Sequence, residues 1–358
     1  MSRPPLAASG DNCAWAAAAA PLQAAHDVLL LDLDGVVYVG PDAVPGAPTF
    51  LADVRTAGAR LAFVTNNAAR SAATVAEHLT ALGVPAGPDD VVTSAQAAAS
   101  VLHAQLPTGA RVLVVGGDGL REAVVAQGLT PVFSADEAPA AVVQGFAPTV
   151  GWSLLLEACV AVRSGVPWVA TNPDLTLPTP RGPGPGNGAL VDVVRRTTGV
   201  EPLVVGKPFR PLLDEAARRT GSRRPLVVGD RLDTDIAGAH AADLPSLLVL
   251  TGISGIGDLL AAPAPQRPTY VWGDLGGLST AHPGCTPDGE GWRCGTVWAR
   301  AAEQRLDVVP AGPVSGTPDE ALQAVRAVSS AVWSDGQVTP RHGLDALAAW
   351  TAPHGLDR

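Results

Sequence analysis

The chain has 358 residues and a formal net charge of −10. This length accommodates about two or three domains. The acidic balance excludes partners that need a basic surface, so we expect neither nucleic acid nor an anionic membrane as a partner. No run of about 18 apolar residues is present, and no membrane span is predicted.

The N-terminal residues 1–25 contain an alanine run, but Asp11 and Asn12 precede it and Arg3 is the only basic residue. This pattern is not typical of a signal peptide, and we expect a flexible tail. Four cysteines without zinc-ligand spacing are typical of reduced thiols, which predicts a cytoplasmic protein. A local disulfide between Cys285 and Cys294 remains open.

An apolar run over residues 28–31 predicts a strand buried on both faces, as in the centre of a parallel sheet. Asp32 and Asp34 follow it, and the two-residue repeat of a strand allows both carboxylates to point the same way. Gly35 then permits a tight turn and the close approach of a ligand. By themselves these residues are also compatible with a turn that caps a helix.

A second predicted strand, 61–64, ends in Thr65, Asn66 and Asn67 before a predicted helix at 71–82. Hydroxyl and amide groups beside a helix N-terminus suit a phosphate ligand, and they also suit an ordinary polar cap. Both interpretations remain open when this segment is considered alone.

Beyond a second alternating pattern of strands and helices, a strand predicted at 203–205 is assigned to the first domain, which resumes there. It precedes Lys207, the one lysine among 24 basic residues. Because all the other residues in that count are arginines, we infer that this position needs a compact ammonium group.

A further predicted strand, 226–228, precedes Asp230, Asp233 and Asp235. Asp233 or Asp235 could cap the helix that follows. Carboxylates collected from separate strand ends form a site of hard oxygen ligands, which is the kind that Mg²⁺ prefers. The sequence therefore predicts a magnesium site.

The second alternating pattern runs from 109 to about 201 and predicts an inserted domain. It ends in Asn172, Asp174 and a segment rich in proline and glycine, 178–188, for which we predict an irregular loop. Two roles fit such a loop: it lies over the active site and selects the substrate, or it serves as a hinge.

Four ordered motifs resemble those of the haloacid dehalogenase superfamily of phosphohydrolases, in the subclass with a large α/β cap. They are Asp32-Leu33-Asp34-Gly35, Thr65-Asn66-Asn67, Gly206-Lys207-Pro208 and the run Gly229-Asp230-Arg231-Leu232-Asp233-Thr234-Asp235.

The resemblance covers about residues 27–275 and implies an α/β fold with a doubly wound, Rossmann-like parallel-sheet core at 26–106 and 202–277. An α/β cap would occupy 107–201, and a small α+β extension would occupy 278–358. Some relatives carry an acetyltransferase-like (GNAT-like) module there. Because its pyrophosphate loop is not found here, we expect a non-catalytic, structural or dimer-forming extension.

The resemblance also implies a magnesium-dependent phosphatase. Asp32 would be the nucleophile and Asp34 the general acid and base, while Lys207 would neutralise negative charge. The metal would be held by the Asp32 side chain, the Asp34 backbone carbonyl and Asp230, with Asp235 in support. The implied substrate-binding residues are Gly35, Thr65, Asn66, Asn67, Asn172 and Asp174.

The expected substrate is a small phosphorylated metabolite, because a closing cap excludes larger molecules. Glycerol 3-phosphate is implied by resemblance alone, and phosphoglycolate or 4-nitrophenyl phosphate is the alternative within the family. A non-catalytic sensor of a phosphorylated metabolite is the alternative from another class of protein, and phosphate release would distinguish the two.

Overall fold

The structure is a computed structural model that describes residues 15–179, 181–302, 305–312, 316–335 and 338–356. Its strands are β1 (Val28–Leu31), β2 (Tyr38–Val39), β3 (Asp42–Ala43), β4 (Arg60–Thr65), β5 (Val91–Thr93), β6 (Arg111–Val115), β7 (Thr130–Val132), β8 (Ala141–Gln144), β9 (Trp168–Ala170), β10 (Thr176–Thr179), β11 (Gly182–Pro185), β12 (Leu203–Val204), β13 (Pro225–Gly229), β14 (Ser246–Val249), β15 (Tyr270–Trp272), β16 (Cys285–Asp288), β17 (Gly291–Cys294), β18 (Val297–Ala302) and β19 (Arg305–Pro310).

The α-helices are α1 (Leu22–Ala25), α2 (Ala47–Thr56), α3 (Ala72–Ala81), α4 (Ser94–His103), α5 (Asp118–Ala126), α6 (Trp152–Arg163), α7 (Asn187–Thr198), α8 (Pro211–Thr220), α9 (Ala237–Ala241), α10 (Ile256–Leu260), α11 (Pro318–Asp335) and α12 (Pro340–Thr351). Local sequence explains several of their starts. Ser71 caps α3 by accepting a hydrogen bond from the Thr74 N–H, and Thr93 and Gln96 form a capping box at α4. Within the described ranges, no helix has the length and apolar character that a membrane span requires.

The described residues divide into two compact units, one containing the chain up to Leu61 and from Ser222 onward, and the other Ala62–Gly221. In the first unit, β15, β14, β13 and β1 lie side by side in that order and pair in parallel. All four residues of β1 are buried, as the apolar run predicts. The carboxyl ends of these strands therefore lie along one sheet edge.

The second unit contains a five-stranded parallel sheet in the order β12-β9-β8-β6-β7. In this unit β4 also pairs in parallel with β5. The α/β class and the inserted α/β pattern are confirmed. The assignment of the strand predicted at 203–205 to the first domain is wrong. This strand, β12, pairs with β9 of the five-stranded sheet, which we call the cap sheet.

The prediction of an irregular loop over 178–188 is wrong. β10 and β11 form an antiparallel hairpin there, and α7 begins at Asn187. Pro178 lies opposite Pro183 and Thr176 lies opposite Pro185. Prolines are tolerated at ladder positions that need no N–H donor, and a two-stranded ribbon offers such positions because it has no central strand.

The C-terminal extension has the predicted α+β character. Its antiparallel sheet has the order β16-β17-β18-β19, and α11 packs against β17 and β18. The predicted flexible tail lies outside the described residues up to residue 14. From Trp15 onward the tail is packed: the Trp15 side chain is buried and its indole N–H donates to the Arg326 carbonyl at 3.0 Å.

Candidate active site

Three carboxylates meet at the carboxyl edge of the first unit's sheet. One oxygen from each of Asp32, Asp230 and Asp235 lies within 4.8 Å of the other two. They are brought there by β1 and β13, whose pairing continues through a hydrogen bond from the Asp32 N–H to the Val228 carbonyl. The two strand ends that the sequence pattern identified are therefore neighbours in the sheet.

The donor chemistry of this cluster fits a hard divalent cation. Asp230 and Asp235 are each 1% exposed, and Asp32 is partly exposed. Carboxylates held this close repel one another in the low-dielectric interior, and a cation offsets that repulsion. Oxygen-only donors are those that suit Mg²⁺.

The Asp230 side chain is held by the loop that follows β14. Its Oδ2 accepts a hydrogen bond from the Ile253 N–H at 2.7 Å, and its backbone carbonyl accepts from the Ser254 N–H at 3.0 Å. Gly35 and Gly252 lie against the carboxylate so closely that a Cβ on either would overlap Oδ2. Two glycines thus make room for a carboxylate that is fixed in one orientation.

Asp235 lies in a π-helical turn, Leu232–Ile236, that leads into α9. Its Oδ2 accepts a hydrogen bond from the Arg231 N–H at 3.2 Å. The Arg231 side chain turns to Asp233 instead, donating at 3.0 and 2.8 Å, and this hydrogen-bonded pair lowers the pKa of Asp233. Asp233 is therefore an ion-pair partner of Arg231, whereas Asp235 joins the cluster.

Asp34, two residues after Asp32, is solvent-exposed in a turn that Gly35 closes. Gly35 has a φ of 82°, a region that disfavours other residues, and its N–H donates to the Tyr38 carbonyl at 2.8 Å. The Gly35 carbonyl in turn accepts from the Thr251 hydroxyl at 2.6 Å. The exposed carboxylate of Asp34 is accessible to a ligand from solvent.

In the second unit, Asn66 is the centre of a polar network. Its Oδ1 accepts from the Lys207 N–H at 2.8 Å, and its Nδ2 donates to the Lys207 carbonyl at 3.0 Å. The same Nδ2 lies 3.3 and 3.5 Å from the Asp174 carboxylate oxygens. The backbone carbonyl of Asn66 accepts from Ser94 Oγ at 2.6 Å and from Asn172 Nδ2 at 2.7 Å.

Lys207 is 3% exposed, and its Nζ donates to the Val64 carbonyl at 3.2 Å. An ammonium group buried to this degree needs several acceptors, and the backbone carbonyl of β4 supplies one of them. The position of the chain's single lysine is thus fixed both at its backbone, by Asn66, and at its side chain.

The two remaining groups predicted in the cap belong to the same network. Asn172 is 5% exposed; its Oδ1 accepts from the Asp174 N–H at 3.1 Å, and its carbonyl accepts from Asn187 Nδ2 at 2.9 Å. Asn187 is the first residue of α7, so the cap helix that sequence reasoning missed supports this segment.

Thr65 and Asn67 organise the turn between β4 and α3. Thr65 Oγ1 accepts from the Asn67 N–H at 3.1 Å, and Asn67 Oδ1 accepts from the N–H groups of Ala69 and Arg70 at 2.8 and 3.3 Å. The Asn67 Oδ1 thus acts as a polar cap for this turn. Thr65 is buried at the end of β4.

Sequence reasoning missed Ser94, the Thr251–Ile253 segment and Asn187. Ser94 directly follows β5, and Thr251 follows β14 by two residues. The rule that polar residues after parallel strands approach a ligand site would have identified both positions. Asn187 carried no such signal, because it follows a hairpin and not a strand of the sheet.

Family models match two segments of the chain. A model described as haloacid dehalogenase-like hydrolase matches residues 29–130, and a HAD-hydrolase-like model matches residues 204–278. The first segment contains Asp32 and Asn66, and the second contains Lys207 and Asp230. The chain belongs to the haloacid dehalogenase-like hydrolases.

Within that family, the chain is 48% identical over 316 residues to the D-glycerol 3-phosphate phosphatase of Mycobacterium tuberculosis, covering 86% of each chain. A crystal structure of a glycerol phosphate phosphatase from M. tuberculosis in complex with magnesium aligns with a TM-score of 0.82 and 44% identity, covering 93% of this chain and 99% of that one. An acid sugar phosphatase of Staphylococcus aureus is 38% identical, covering 70% of this chain and 95% of its own.

Proposed function

We propose that this chain is a magnesium-dependent phosphatase that hydrolyses glycerol 3-phosphate. The observation that carries the proposal is the meeting of Asp32, Asp230 and Asp235 within 4.8 Å, with the exposed Asp34 two residues after Asp32. The similarity to the glycerol 3-phosphate phosphatase over 86% of both chains supports the substrate.

In this proposal Mg²⁺ is held by the side chains of Asp32 and Asp230 and by the backbone carbonyl of Asp34. Asp235 supports the arrangement through its place in the cluster. When bound, the ion offsets the repulsion between the Asp32 carboxylate and an anionic ester.

Asp32 attacks the phosphorus atom, so that a bond forms between its carboxylate oxygen and phosphorus while the bond to the ester oxygen breaks. Asp34 gives a proton to the departing alkoxide. In the second half-reaction Asp34 takes a proton from water, the water oxygen attacks phosphorus, and inorganic phosphate leaves Asp32. One group thus serves as acid and then as base.

The remaining residues bind the phosphoryl group and its charge. Thr65, Asn66 and Asn67, together with Gly35, are proposed to hold the phosphoryl oxygens, and Lys207 is proposed to neutralise the negative charge of the reacting groups. The side-chain amide of Asn66 has a further task, since it fixes the backbone of Lys207.

Asn172 and Asp174 are proposed to contact the alcohol part of the substrate, where amide and carboxylate groups suit a polyol. Their hydrogen bonds to each other and to Asn66 give this segment a defined shape. A phosphatase acting on phosphoglycolate or 4-nitrophenyl phosphate is the alternative within the family, and the sugar phosphatase relative gives it secondary support.

Phosphate release measured on a panel of small esters, with Mg²⁺ and with a chelator, tests the proposal. The panel contains glycerol 3-phosphate, phosphoglycolate, pyridoxal phosphate, nucleotides and 4-nitrophenyl phosphate. We expect Mg²⁺-dependent release with the highest kcat/KM on glycerol 3-phosphate. A higher value on phosphoglycolate would transfer the assignment to the alternative, and binding without release would indicate a sensor.

We also propose that the protein works in the cytoplasm and forms a homodimer. The described cysteines Cys159, Cys285 and Cys294 are free thiols, which supports a reducing compartment. Cell fractionation tests the compartment. Light scattering on the purified chain tests the dimer, and a monomer mass at working concentration would contradict it.

A further inference from the structure

The C-terminal extension holds a pair of cysteines placed directly opposite each other on two strands. Cys285 begins β16, Cys294 ends β17, and the two residues are partners in the antiparallel ladder. Their side chains are 4% and 0% exposed. Directly opposite residues of an antiparallel pair place their side chains on the same face of the sheet, so the two thiols face each other.

The ladder type at this position suits a covalent bridge. Cys285 donates its N–H to the Trp15 carbonyl, away from β17, so its pair with Cys294 is of the non-hydrogen-bonded type. Hydrogen-bonded and non-hydrogen-bonded pairs alternate along an antiparallel ladder, so Pro287, two residues along β16, is in a pair of the same type as Cys285. A proline fits that position because it has no N–H to donate. In pairs of this type the Cα atoms are about 4.5 Å apart, within the range of about 4.4–6.8 Å that disulfides span.

A buried guanidinium lies beside the two sulfurs. Arg326 of α11 is 1% exposed, and the oxygen acceptor closest to it is Asp319 Oδ1, 3.4 Å from Nη2. Its Nε and Nη1 have no oxygen or nitrogen partner in the part of the chain that the structure describes. Asp319 thus engages one nitrogen of a guanidinium whose burial is costly, and Cys294 is a second neighbour of that guanidinium.

The groups around Cys294 favour its thiolate. A hydrogen bond from Cys285 and the charge of Arg326 lower the pKa of Cys294, opposed by burial and by Asp319. Burial, followed by contact with Cys294, raises the pKa of Cys285, which therefore keeps its proton. The Cys294 thiol also makes a long contact, 3.8 Å, to the Pro283 carbonyl.

We propose that Cys285 and Cys294 are a redox-active pair that peroxides convert to a reversible disulfide. The Cys294 thiolate attacks one peroxide oxygen and becomes a sulfenic acid as the O–O bond breaks and water leaves after protonation. The Cys285 sulfur then attacks the Cys294 sulfur, forming the S–S bond and releasing a second water. Two sulfurs lose two electrons in total, and one peroxide is reduced to two waters.

Access to the pair is compatible with its place in the fold. β16 is an edge strand of the four-stranded sheet, and local opening of such a strand, with loss of the hydrogen bond from Cys285 to Trp15, would expose the pair to peroxide. Cys159 is a matched internal control, because it is also a buried free thiol but lies alone on α6.

The test exposes the reduced full-length protein to hydrogen peroxide, alkylates the remaining thiols and maps peptides by mass spectrometry without reduction. We expect one linked species that joins Cys285 to Cys294, has lost two hydrogens and returns to free thiols with dithiothreitol, while Cys159 remains alkylated. Recovery of Cys285 and Cys294 as separately alkylated residues, or oxidation of Cys294 to a sulfinic acid without a link, would overturn the proposal.

Three variants test the chemistry separately from the folding. Cys285→Ser should stop the reaction at a sulfenic acid on Cys294 that a dimedone probe labels. Arg326→Gln should slow formation of the link several-fold, whereas Arg326→Lys, which keeps the charge, should retain more of the rate. Equal rates in both Arg326 variants, with both folded by circular dichroism, would contradict the part assigned to the guanidinium.

Discussion

The Asn66 side chain pairs with both backbone groups of Lys207, accepting from its N–H at 2.8 Å and donating to its carbonyl at 3.0 Å. A side-chain amide is the group that can do both at once, because it carries an acceptor and a donor side by side. Asn66 therefore positions the lysine, in addition to any contact with the substrate.

This pairing predicts the effect of Asn66→Asp. The new carboxylate still accepts from the Lys207 N–H, but it cannot donate to the carbonyl and it repels the Asp174 carboxylate. We expect kcat to fall about 100-fold with KM changed much less, since a displacement of about 1 Å costs that much. Steady-state kinetics on glycerol 3-phosphate measures both parameters.

Ser71→Ala is the control for that variant, because it removes a helix cap in the following turn without contacting Lys207. It should cost about 1 kcal/mol of unfolding free energy and leave kcat nearly unchanged. If Asn66→Asp had the kcat of Ser71→Ala, or lost activity only through a higher KM, the positioning role would be wrong.

For Asp32→Asn we expect no turnover above background and an intact fold. Removing one of three neighbouring carboxylates relieves repulsion, so the thermal midpoint in a chelator should not fall. The stabilisation produced by added Mg²⁺ should be smaller than in the natural chain, because one ligand is lost. Thermal melts with and without Mg²⁺ check this, and retained turnover would remove the nucleophile assignment.

Asp34→Asn separates the acid role from the metal site. An alkoxide leaves poorly without a proton, so we expect a loss of about 10²- to 10⁴-fold on glycerol 3-phosphate. The loss on 4-nitrophenyl phosphate should be much smaller, because an aryloxide needs less protonation. Asp42→Asn, on exposed β3, is the control. Equal losses on both esters would count against Asp34 as the acid.

Gly35→Ala and Gly40→Ala form a matched pair for the cradle of Asp230. Both glycines have positive φ, 82° and 59°, but a Cβ on Gly40 meets nothing within 4 Å, whereas one on Gly35 overlaps the Asp230 carboxylate. Gly40→Ala should cost about 1–2 kcal/mol of unfolding free energy from backbone strain alone. Gly35→Ala should cost more and also raise the Mg²⁺ concentration that gives half-maximal activity.

Urea unfolding and a Mg²⁺ titration of activity measure the two effects. If Gly35→Ala required no more Mg²⁺ than Gly40→Ala, then the orientation of Asp230 would not depend on the space that Gly35 leaves.

Several features could be read from local pattern. The apolar run before Asp32 identified β1, and the run before Asp230 identified β13. Because parallel strands end at a common edge, their polar ends identified the carboxylate cluster. Side-chain periodicity and turn chemistry act over a few residues, so a single sequence displays them directly.

Other features depended on partners far away in the chain. Nothing local distinguishes β12 as an edge strand of the cap sheet, or shows that the proline-rich segment closes into the β10–β11 hairpin. The pairing of Asn66 with Lys207 joins positions 141 residues apart, and the burial of Arg326 beside Cys294 depends on how α11 packs on its sheet. Such contacts depend on which surfaces the packed chain brings together, because hydrogen bonds and burial are decided by distances in space. The pattern of residues along the chain records only what each segment can form by itself.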